Sequence, residues 1–302
     1  MNRMEKLQIG GTVMKFAVIG GDMRQAKLAE LLLADGHDVS VFAIDKFRLE
    51  DGVNHTDSAA TAVRDAACVV LPLPVVAKER ILNTPLSSGL HTTQNTFAEL
   101  RPDQVICAGK VDTATAEQAA SLGLELIDYL AREEFAIQGA LATAEGAIGI
   151  IMKETAVTLC HLNCLVIGFG RIGKILCHRL RGMGAHVTAS ARKCADIAWV
   201  KSYGYDALET SRLDGELSKF DIIVNTVPAR VLGKHRLQEL KPGCFLLDLS
   251  SKPGGLDFSA ASNLGVKALW ALGLPGEVAP VSAGAAVRDT IYNILREKGV
   301  LQ

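Results

Sequence analysis

Residues 163–184 read NCLVIGFGRIGKILCHRLRGMG and decide the fold of the second half of the chain. An apolar strand precedes a GxGxxG turn and a helical stretch follows it, which is the order of a dinucleotide-binding βα unit. The turn consists of Gly168, Phe169, Gly170, Arg171, Ile172 and Gly173. The first glycine permits a tight bend, the second lets the backbone approach a pyrophosphate, and the third lets helix and strand pack closely. With the positive end of the helix behind it, the turn predicts a dinucleotide site. The alternative is that the glycines serve only a turn.

Short apolar runs separated by helix-like stretches extend this pattern in both directions. Strands are predicted at 16–19, 38–42, 67–71, 104–108 and 124–128, and again at 163–167, 186–190, 222–226, 244–249 and 266–268. Because these runs are apolar throughout rather than alternating, the strands are expected to be buried on both faces. The sequence therefore predicts an α/β chain with two Rossmann-like, doubly wound parallel-sheet domains.

The domain boundary is predicted from the segment between the two strand series. Residues 132–159 are rich in helix formers and predict a hinge helix. Residues 1–14 are taken as an N-terminal extension, 15–150 as the first domain and 151–283 as the second. The last predicted helix is expected to cross back, so that residues 284–302 complete the first domain.

Composition limits the classes of partner. Lys and Arg number 32 against 33 Asp and Glu, a net charge of −1 that argues against nucleic acid. No apolar run approaches the ~20 residues that span a bilayer, and the N-terminus lacks the apolar stretch of a signal peptide. We therefore expect a cytoplasmic protein without membrane contact. The seven cysteines lack paired metal-ligand spacing, so reduced thiols and no metal site are expected.

The coenzyme is predicted from the strand after the glycine turn. An acidic residue about 20 positions after the turn would bind the ribose 2′-hydroxyl of NAD. Here residues 188–193 read TASARK, and Ser190, Arg192 and Lys193 could bind a 2′-phosphate instead. NADP is therefore expected, with NAD as the other possibility. Against this choice, Asp196 follows shortly, and the two cations could belong to a solvated turn.

The first half repeats the layout with a degenerate loop, GGDMRQ at 20–25. Asp22 takes the place of the second glycine and Gln25 that of the third. A carboxylate at the phosphate cradle would repel a pyrophosphate. The first domain is therefore not expected to hold the dinucleotide, although Asp45 lies where a ribose ligand would.

This degenerate loop suits a small carboxylate instead. Gly20 and Gly21 offer backbone donors, and Arg24 places a cation at a helix start. We therefore assign substrate binding to the loop that includes Asp22. The alternative is that Asp22 only caps the helix and Arg24 is solvated.

Further candidates follow the strands, because ligands of open parallel sheets lie beyond the strands' carboxyl ends. Four loops qualify: LPLP at 71–74, NTVP at 225–228, DLSSKPGG at 248–255, and LGLPG at 272–276 with APVSAG at 279–284. The residues selected from them are Pro72, Pro74, Thr226, Val227, Pro228, Ser250, Lys252 and Leu272. Glu145 on the connecting segment could orient a substrate amine or act as a base, or could be a cap or surface carboxylate.

Seven segments together resemble the family formed by the A subunit of dipicolinate synthase. They are GGDMRQ (20–25), LPLP (71–74), DYLAREEFAIQGALATAEGAI (128–148), GFGRIGK (168–174), NTVPARVL (225–232), DLSSKPGGLDF (248–258) and ALGLPGEVAPVSAG (271–284). The resemblance runs from about residue 15 to the last helix. Gly139 and Ala142 stand where that family would have an Asn and a Pro, which affects only the local linker geometry.

The resemblance implies a formate/glycerate-dehydrogenase-like domain joined to an NAD(P)-binding domain. It implies oxidation of dihydrodipicolinate to dipicolinate with NADP or NAD during sporulation, on a branch of the diaminopimelate and lysine route, together with the flavoprotein-like B subunit of dipicolinate synthase. An oligomer is expected. In this interpretation Arg24 and the Gly20 and Gly21 backbone bind the dicarboxylate substrate, Lys252 is a second cation, and Lys252 or Glu145 takes the proton.

Two other functions stay open from the sequence. One is an alanine-dehydrogenase-like or shikimate-dehydrogenase-like oxidoreductase, and the other is a non-catalytic NADP-binding regulatory subunit. 2-Hydroxy-acid dehydrogenases use an Arg to bind the substrate carboxylate and a His to move the hydroxyl proton. Here no Arg stands in the loop after the strand at 244–249, and no His stands between the strand at 266–268 and the last helix, which disfavours keto-acid reduction.

Overall fold

The structure, a computed structural model, describes residues 13–301 of the chain. Most of the N-terminal extension predicted for residues 1–14 lies outside the described residues. The chain divides into two compact units, of which the first runs to Gln138 and resumes at Ala279, and the second comprises Gly139–Val278. The sequence boundary at 150 lies further along the same helix as the division at Gln138, because that helix continues without a break.

The elements alternate between strand and helix along the whole chain. The strands are β1 (Lys15–Ile19), β2 (Asp38–Phe42), β3 (Asn54–His55), β4 (Cys68–Val70), β5 (Val76–Lys78), β6 (Ile81–Leu82), β7 (Val105–Ala108), β8 (Leu126–Asp128), β9 (Asn163–Ile167), β10 (His186–Ala191), β11 (Asp206–Glu209), β12 (Ile222–Asn225), β13 (Phe245–Asp248) and β14 (Lys267–Trp270). The helices are α1 (Met23–Ala34), α2 (Ala59–Val63), α3 (Thr93–Phe97), α4 (Thr113–Ser121), α5 (Glu133–Glu154), α6 (Arg171–Gly182), α7 (Cys194–Ser202), α8 (Lys234–Leu237), α9 (Phe258–Asn263), α10 (Leu274–Val278) and α11 (Pro280–Glu297).

The first unit is built on a six-stranded parallel sheet in the order β3-β2-β1-β4-β7-β8. Its central strands β4 and β7 are buried along their whole length, as their apolar sequences require. Helix α11 packs against α1, where Gly284 permits close approach because a Cβ there would lie 3.0 Å from Arg24 O and Leu28 N. The C-terminal helix thus belongs to the first unit.

The second unit is built on a six-stranded parallel sheet in the order β11-β10-β9-β12-β13-β14. Apart from the β5–β6 hairpin, which forms a separate two-stranded sheet, both units follow the 3-2-1-4-5-6 order of doubly wound dinucleotide-binding folds. The predicted fold class is confirmed. In such sheets the crevice opens where the strand order reverses, which here is between β1 and β4 and between β9 and β12.

All ten predicted strands are present, with ends that differ by one or two residues. Four further strands were not predicted: β3, β5, β6 and β11. Three of them are only two or three residues long, and β11 reads DALE, without an apolar run. Each lies at a sheet edge or in the hairpin, where a strand needs little apolar sequence.

Helix α5 is, among the described residues, the one helix long and apolar enough to cross a membrane. The sequence analysis expects no apolar run that approaches membrane-spanning length, and this helix, which includes Glu145, differs from that expectation in length and composition. Ala144, Ala147 and Ile151 of α5 are fully buried in the core of the second unit. A core helix satisfies the same length and composition criteria.

Candidate functional site

The glycine turn of the second unit has the geometry that its sequence predicts. Gly168 has φ +99°, and its N–H donates to Ser190 O at 2.9 Å. A Cβ on Gly173 would overlap Gly168 O, so helix α6 packs directly on the turn. A Cβ on Gly170 would meet no heavy atom within 4 Å. The turn is therefore bent at the first glycine, open at the second and closed at the third, which fits a bound pyrophosphate.

Helix α6 starts at this turn without a side-chain cap. Gly170 is its N-cap, makes no side-chain capping bond, and no acidic residue follows in the first turn. Phe169 is buried in the core and Ile172 packs against that core, so these residues offer a ligand mainly their backbone. Uncapped N–H groups at a helix start are a binding site for anions.

The end of β10 presents two cations and one buried hydroxyl. Ser190 is fully buried, and its Oγ accepts a hydrogen bond from Thr210 Oγ1 at 3.2 Å. Arg192 and Lys193 are exposed, and within residues 13–301 neither forms an ion pair. A ligand at this strand end would therefore meet Arg192 and Lys193, while the Ser190 hydroxyl is already used inside the unit.

A buried polar network joins the loops after β12 and β13. Asp248, the last residue of β13, and Asn225, the last residue of β12, are both fully buried. Asn225 Nδ2 donates to Asp248 Oδ1 at 2.8 Å, and Ser250 Oγ donates to the same oxygen at 2.7 Å. The selected coenzyme residue Ser250 is thus part of this network. Asn225 and Asp248 were not among the predicted site residues, and the signal that could have found them is a polar residue that ends an apolar strand.

The loop between Ser250 and Gly255 carries Lys252 on its exposed part. Trp270 Nε1 donates to Ser250 O at 2.8 Å, and Gly255 N donates to Asp248 Oδ2 at 2.7 Å. Both ends of the loop are fixed while its middle faces solvent.

The remaining candidates of the second unit occupy different places. Thr226 and Val227 lie against Gly168, where a Cβ would overlap Thr226 and approach Val227 Cγ2 to 2.8 Å. Pro228 and Leu272 are exposed in their loops.

Glu145 does not lie at the glycine turn. Its Oε1 accepts a hydrogen bond from Arg179 Nη2 at 2.8 Å. Arg179 lies eight residues after Arg171, about 12 Å along α6 from the start of that helix. The structure thus places Glu145 in an ion pair on the helical face rather than beside the strand ends.

In the first unit, Asp22 and Gln25 close the corresponding loop on itself. Asp22 caps α1 by accepting from Arg24 N at 3.0 Å, and Gln25 Oε1 accepts from Asp22 N at 3.1 Å. Arg24 Nε and Nη2 also donate to the two Asp22 carboxylate oxygens, at 2.9 and 2.7 Å. Asp22 does cap the helix, as the alternative interpretation held, but Arg24 is paired rather than solvated.

The backbone donors expected at Gly20 and Gly21 are occupied, which corrects the sequence-based assignment. Gly20 N donates to Phe42 O at 2.7 Å, and Gly21 N donates to Asn83 O at 2.9 Å. Thr84 packs against Gly20, where a Cβ would overlap its methyl group. The chain's own segment after β6 therefore lies on the loop that a pyrophosphate would need.

The same segment also occupies the ribose position of the first unit. Asp45, after β2, accepts hydrogen bonds from the backbone N–H of Ser88 at 2.8 Å and from the Ser88 hydroxyl. Hydrogen bonds from Ser88 and Ser87 hold the pKa of Asp45 well below its usual range. Neither the phosphate cradle nor the ribose carboxylate of the first unit is open to a dinucleotide.

The LPLP loop is held by hydrogen bonds from Arg24 of α1, from Tyr129 and from Gly109. Arg24 Nη2 donates to Leu73 O at 2.8 Å, and the buried Tyr129 hydroxyl donates to Leu71 O at 3.3 Å. Burial raises the pKa of Tyr129, so this hydroxyl stays protonated. Pro72 is buried and its carbonyl accepts from Gly109 N at 3.1 Å, whereas Pro74 is partly exposed.

One exposed group among the described residues could offer three metal ligands, although the sequence predicts no metal site. Asp214, His235 and Glu239 place ligand atoms within 4.8 Å of one another. Arg236 already pairs with Asp214 at 2.8 Å, and Gly215 N donates to Glu239 at 2.7 Å. These oxygens are therefore engaged within the protein.

Comparison with known proteins finds relatives over nearly the whole chain. Residues 15–130 match the N-terminal domain of the dipicolinate synthase A subunit, and residues 151–251 match the NAD-binding domain of D-isomer specific 2-hydroxyacid dehydrogenases. The A subunit of dipicolinate synthase from Bacillus subtilis (strain 168) is 30% identical over 292 residues, which cover 95% of this chain and 97% of that protein.

Solved structures agree with the sequence matches. The dipicolinate synthase A subunit from Bacillus halodurans superposes with a TM-score of 0.85 at 28% identity, covering 93% of this chain and 97% of the other. The A chain of dipicolinate synthase from Bacillus subtilis gives 0.84 at 29% identity, with 95% and 97% covered. The second unit is thus a nicotinamide-coenzyme domain of the dehydrogenase type, which supports an oxidoreductase. With both halves and the full length matched, the chain belongs to the family of the dipicolinate synthase A subunit.

Proposed function

We propose that this protein oxidises dihydrodipicolinate to dipicolinate with NADP, or with NAD, as hydride acceptor. The observation that carries the proposal is the open second glycine, Gly170, in a chain whose whole length matches the A subunit of dipicolinate synthases. The substrate ring loses one hydride to the coenzyme and one proton to a base, and becomes aromatic. Aromatisation favours hydride loss, so the protein mainly has to orient the ring, bind two carboxylates and accept one proton.

The second unit supplies the residues proposed to hold the coenzyme. Gly168, Gly170 and Gly173 with the uncapped start of α6 take the pyrophosphate. Arg192 and Lys193 take a 2′-phosphate, which is why NADP is the first choice. Ser190 is not proposed for this contact, because its hydroxyl is buried. The other proposed contacts are the backbone of 169–172, Thr226, Val227, Pro228 and Leu272, with Ser250 acting through the buried network.

Arg24 and Lys252 are the cations proposed for the substrate carboxylates. Nε and Nη2 of Arg24 are used by Asp22 and Leu73, whereas its Nη1 has no hydrogen-bond partner within residues 13–301. Asp22 therefore fixes the guanidinium and leaves one edge of it for a carboxylate. Pro72 and Pro74 shape the adjoining loop.

Lys252 is the proposed proton acceptor. Its side chain is exposed and forms no ion pair within the described part of the chain, whereas the other candidate, Glu145, bonds Arg179. The proton that leaves the substrate ring is held on Lys252 Nζ, which then pairs with a carboxylate of the product.

The relatives are named as one subunit of a synthase, and we propose that this chain likewise works with a second one, the B subunit of dipicolinate synthase, in an oligomer in the cytoplasm during sporulation. The test combines both subunits, NADP or NAD, and enzymatically generated 4-hydroxy-tetrahydrodipicolinate. Reduced nicotinamide is followed by absorbance and dipicolinate by chromatography. We expect the two products in equal amounts, with no turnover when Gly170→Ala replaces the wild-type chain.

The same assay also tests the two alternative functions. Alanine and shikimate serve as competing substrates, and faster turnover of either would replace the proposal by an amino-acid or shikimate oxidoreductase. Coenzyme binding without turnover of any substrate, with the B subunit present, would indicate a regulatory role instead.

A further inference from the structure

A fully buried carboxylate at the end of β13 is satisfied without a cation. Asp248 Oδ1 accepts from Asn225 Nδ2, from Ser250 Oγ and from Ser250 N at 3.0 Å, and its Oδ2 accepts from Gly255 N at 2.7 Å. Within residues 13–301 no Lys or Arg pairs with it. Burying a carboxylate is unfavourable unless hydrogen bonds satisfy it, and an apolar pair of similar shape can be equally stable. Core stability alone therefore does not account for this group.

Asn225 extends the network towards the glycine turn. Its Nδ2 donates to Val227 O at 2.9 Å and its Oδ1 accepts from Val227 N at 3.2 Å, so one side chain closes the loop after β12. Val227 in turn lies against Gly168. The buried pair thus connects the loop after β13 to the turn proposed to hold the pyrophosphate.

The two loops touch without space between them. A Cβ on Gly255 would overlap Asn225 Nδ2 and come within 2.8 Å of Val227 O. Gly254 has φ +90°, and a Cβ there would lie 3.1 Å from the Trp270 ring. Ser250 and Gly255 are both bonded to Asp248, and the exposed Lys252 lies between these two fixed ends.

We propose that Asp248 and Asn225 are positioning residues for the reaction. The pair holds Lys252 and the loop after β12 in fixed places relative to the glycine turn, and it does so without touching coenzyme or substrate. This inference rests on the proposed function for its kinetic consequence. Its structural consequence, a fixed Ser250–Gly255 loop beside the coenzyme, can be measured without a substrate.

The variants are Asp248→Asn, Asn225→Asp and the exchange that combines both. The matched control is Asp221→Asn, the same chemical change at the residue before β12, where Asp221 accepts from Asn163 N at 2.7 Å and pairs with Lys241 at 2.6 Å. A displacement of about 1 Å at a reacting group can lower a rate on the order of 100-fold. We expect Asp248→Asn to lower kcat by roughly 30- to 100-fold while the NADPH Kd stays within about threefold. The control should lower the melting temperature and leave kcat and Kd unchanged.

The exchange variant separates positioning from simple loss of stability. Asn225→Asp places two carboxylates at hydrogen-bond distance, which disfavours the charged pair. Restoring one carboxylate and one amide in N225D/D248N should raise kcat at least about fivefold above that of N225D. A Tm that recovers without recovery of kcat would contradict the proposal.

Trp270 provides the readout that needs no turnover. Its indole N–H bonds Ser250 O, and Trp199→Phe leaves it as the single tryptophan of the chain. In the Trp199→Phe parent we expect energy transfer from Trp270 to bound NADPH. At equal saturation with NADPH, Asp248→Asn in this background should show a lower transfer efficiency or a broader distribution of efficiencies. If Asp248→Asn shows this change in energy transfer but the parent does not turn over the dihydro substrate, the proposed function fails and the positioning role stands. Unchanged transfer together with unchanged kcat, or a parallel loss of Tm, Kd and kcat like that of a destabilised control, would overturn the positioning role.

Discussion

Adding one methyl group should weaken coenzyme binding at both Gly170 and Gly173, but it should destabilise the fold only at Gly173. In Gly173→Ala the new Cβ would overlap Gly168 O and approach the Gly168 carbonyl carbon to 3.0 Å. Both atoms are backbone and cannot rotate away, so α6 has to move by on the order of 1 Å, an overpacking that costs roughly 1–3 kcal/mol. In Gly170→Ala the Cβ would meet no protein atom within 4 Å, and φ of −82° suits alanine. The fold should tolerate that change, while the methyl group takes the place of the pyrophosphate.

Two measurements separate these effects. Thermal unfolding of the coenzyme-free protein should show Tm lowered by roughly 2–12 °C in Gly173→Ala and unchanged in Gly170→Ala. Titration with NADPH, followed by calorimetry, should show affinity reduced by about 10- to 100-fold or more in both, since 1.4 kcal/mol corresponds to one tenfold step. If Gly170→Ala binds NADPH as tightly as the wild type, the pyrophosphate does not lie in this turn and the assignment of the second unit is wrong.

Three further predictions concern the coenzyme choice, the first unit and the thiols. Arg192→Ala should weaken NADP binding about tenfold and leave NAD binding unchanged, because only the 2′-phosphate loses a charge-assisted bond; equal losses for both coenzymes in calorimetry would refute it. Asp22→Gly should lower the Tm only slightly, because exchanging an Asp N-cap for Gly costs about a few tenths of a kcal/mol, and it should not create a second coenzyme site; a stoichiometry of two in the titration would contradict this. Native protein should react with a thiol reagent near neutral pH only at the exposed Cys160 and Cys194. Burial raises the pKa of three other thiols to about 12: Cys164, Cys177 and Cys244. Because the unfolded thiols ionise near their usual pKa of 9.0, these groups should cause no pH dependence of stability below about pH 9, and unfolding measured against pH should show stability falling between about pH 9 and 12.

The sequence was sufficient for the sheets because their signal is local and strong. The apolar run of β9 was predicted with its observed ends, because a strand buried on both faces consists almost entirely of apolar residues. The ends of β2 were also predicted, although Asp38 is exposed and Ser40 is half-buried in that strand. Strand β11 is the counterexample. Its residues DALE pair with β10 at the sheet edge, and only the tertiary neighbour makes them a strand.

The candidate site was predictable to the extent that it is made of consecutive residues. The opening of the GFGRIG turn at Gly170 follows from the motif, because the turn is formed mainly by consecutive residues between β9 and α6. The occupation of Gly21 N by Asn83 O joins residues far apart in the chain, and nothing in GGDMRQ indicates which segment will cover it. The hydrogen bond between Asn225 and Asp248 likewise depends on the pairing of β12 with β13.

The proposed division of roles between the two units rests on more than the acidic side chain of Asp22, because the backbone contacts of the two glycine loops also differ. An acidic side chain alone can rotate away or be offset by a cation, and Asp22 is indeed offset by Arg24. Backbone bonds are harder to displace: Gly20 N and Gly21 N are bonded to carbonyls, and Asp45 is bonded by Ser88. A dinucleotide entering the first unit would have to break all of these bonds at once, whereas a Cβ placed on Gly170 would meet no protein heavy atom within 4 Å. The same topology thus yields one loop open to phosphate and one that is filled by its own chain and holds Arg24 in a fixed orientation.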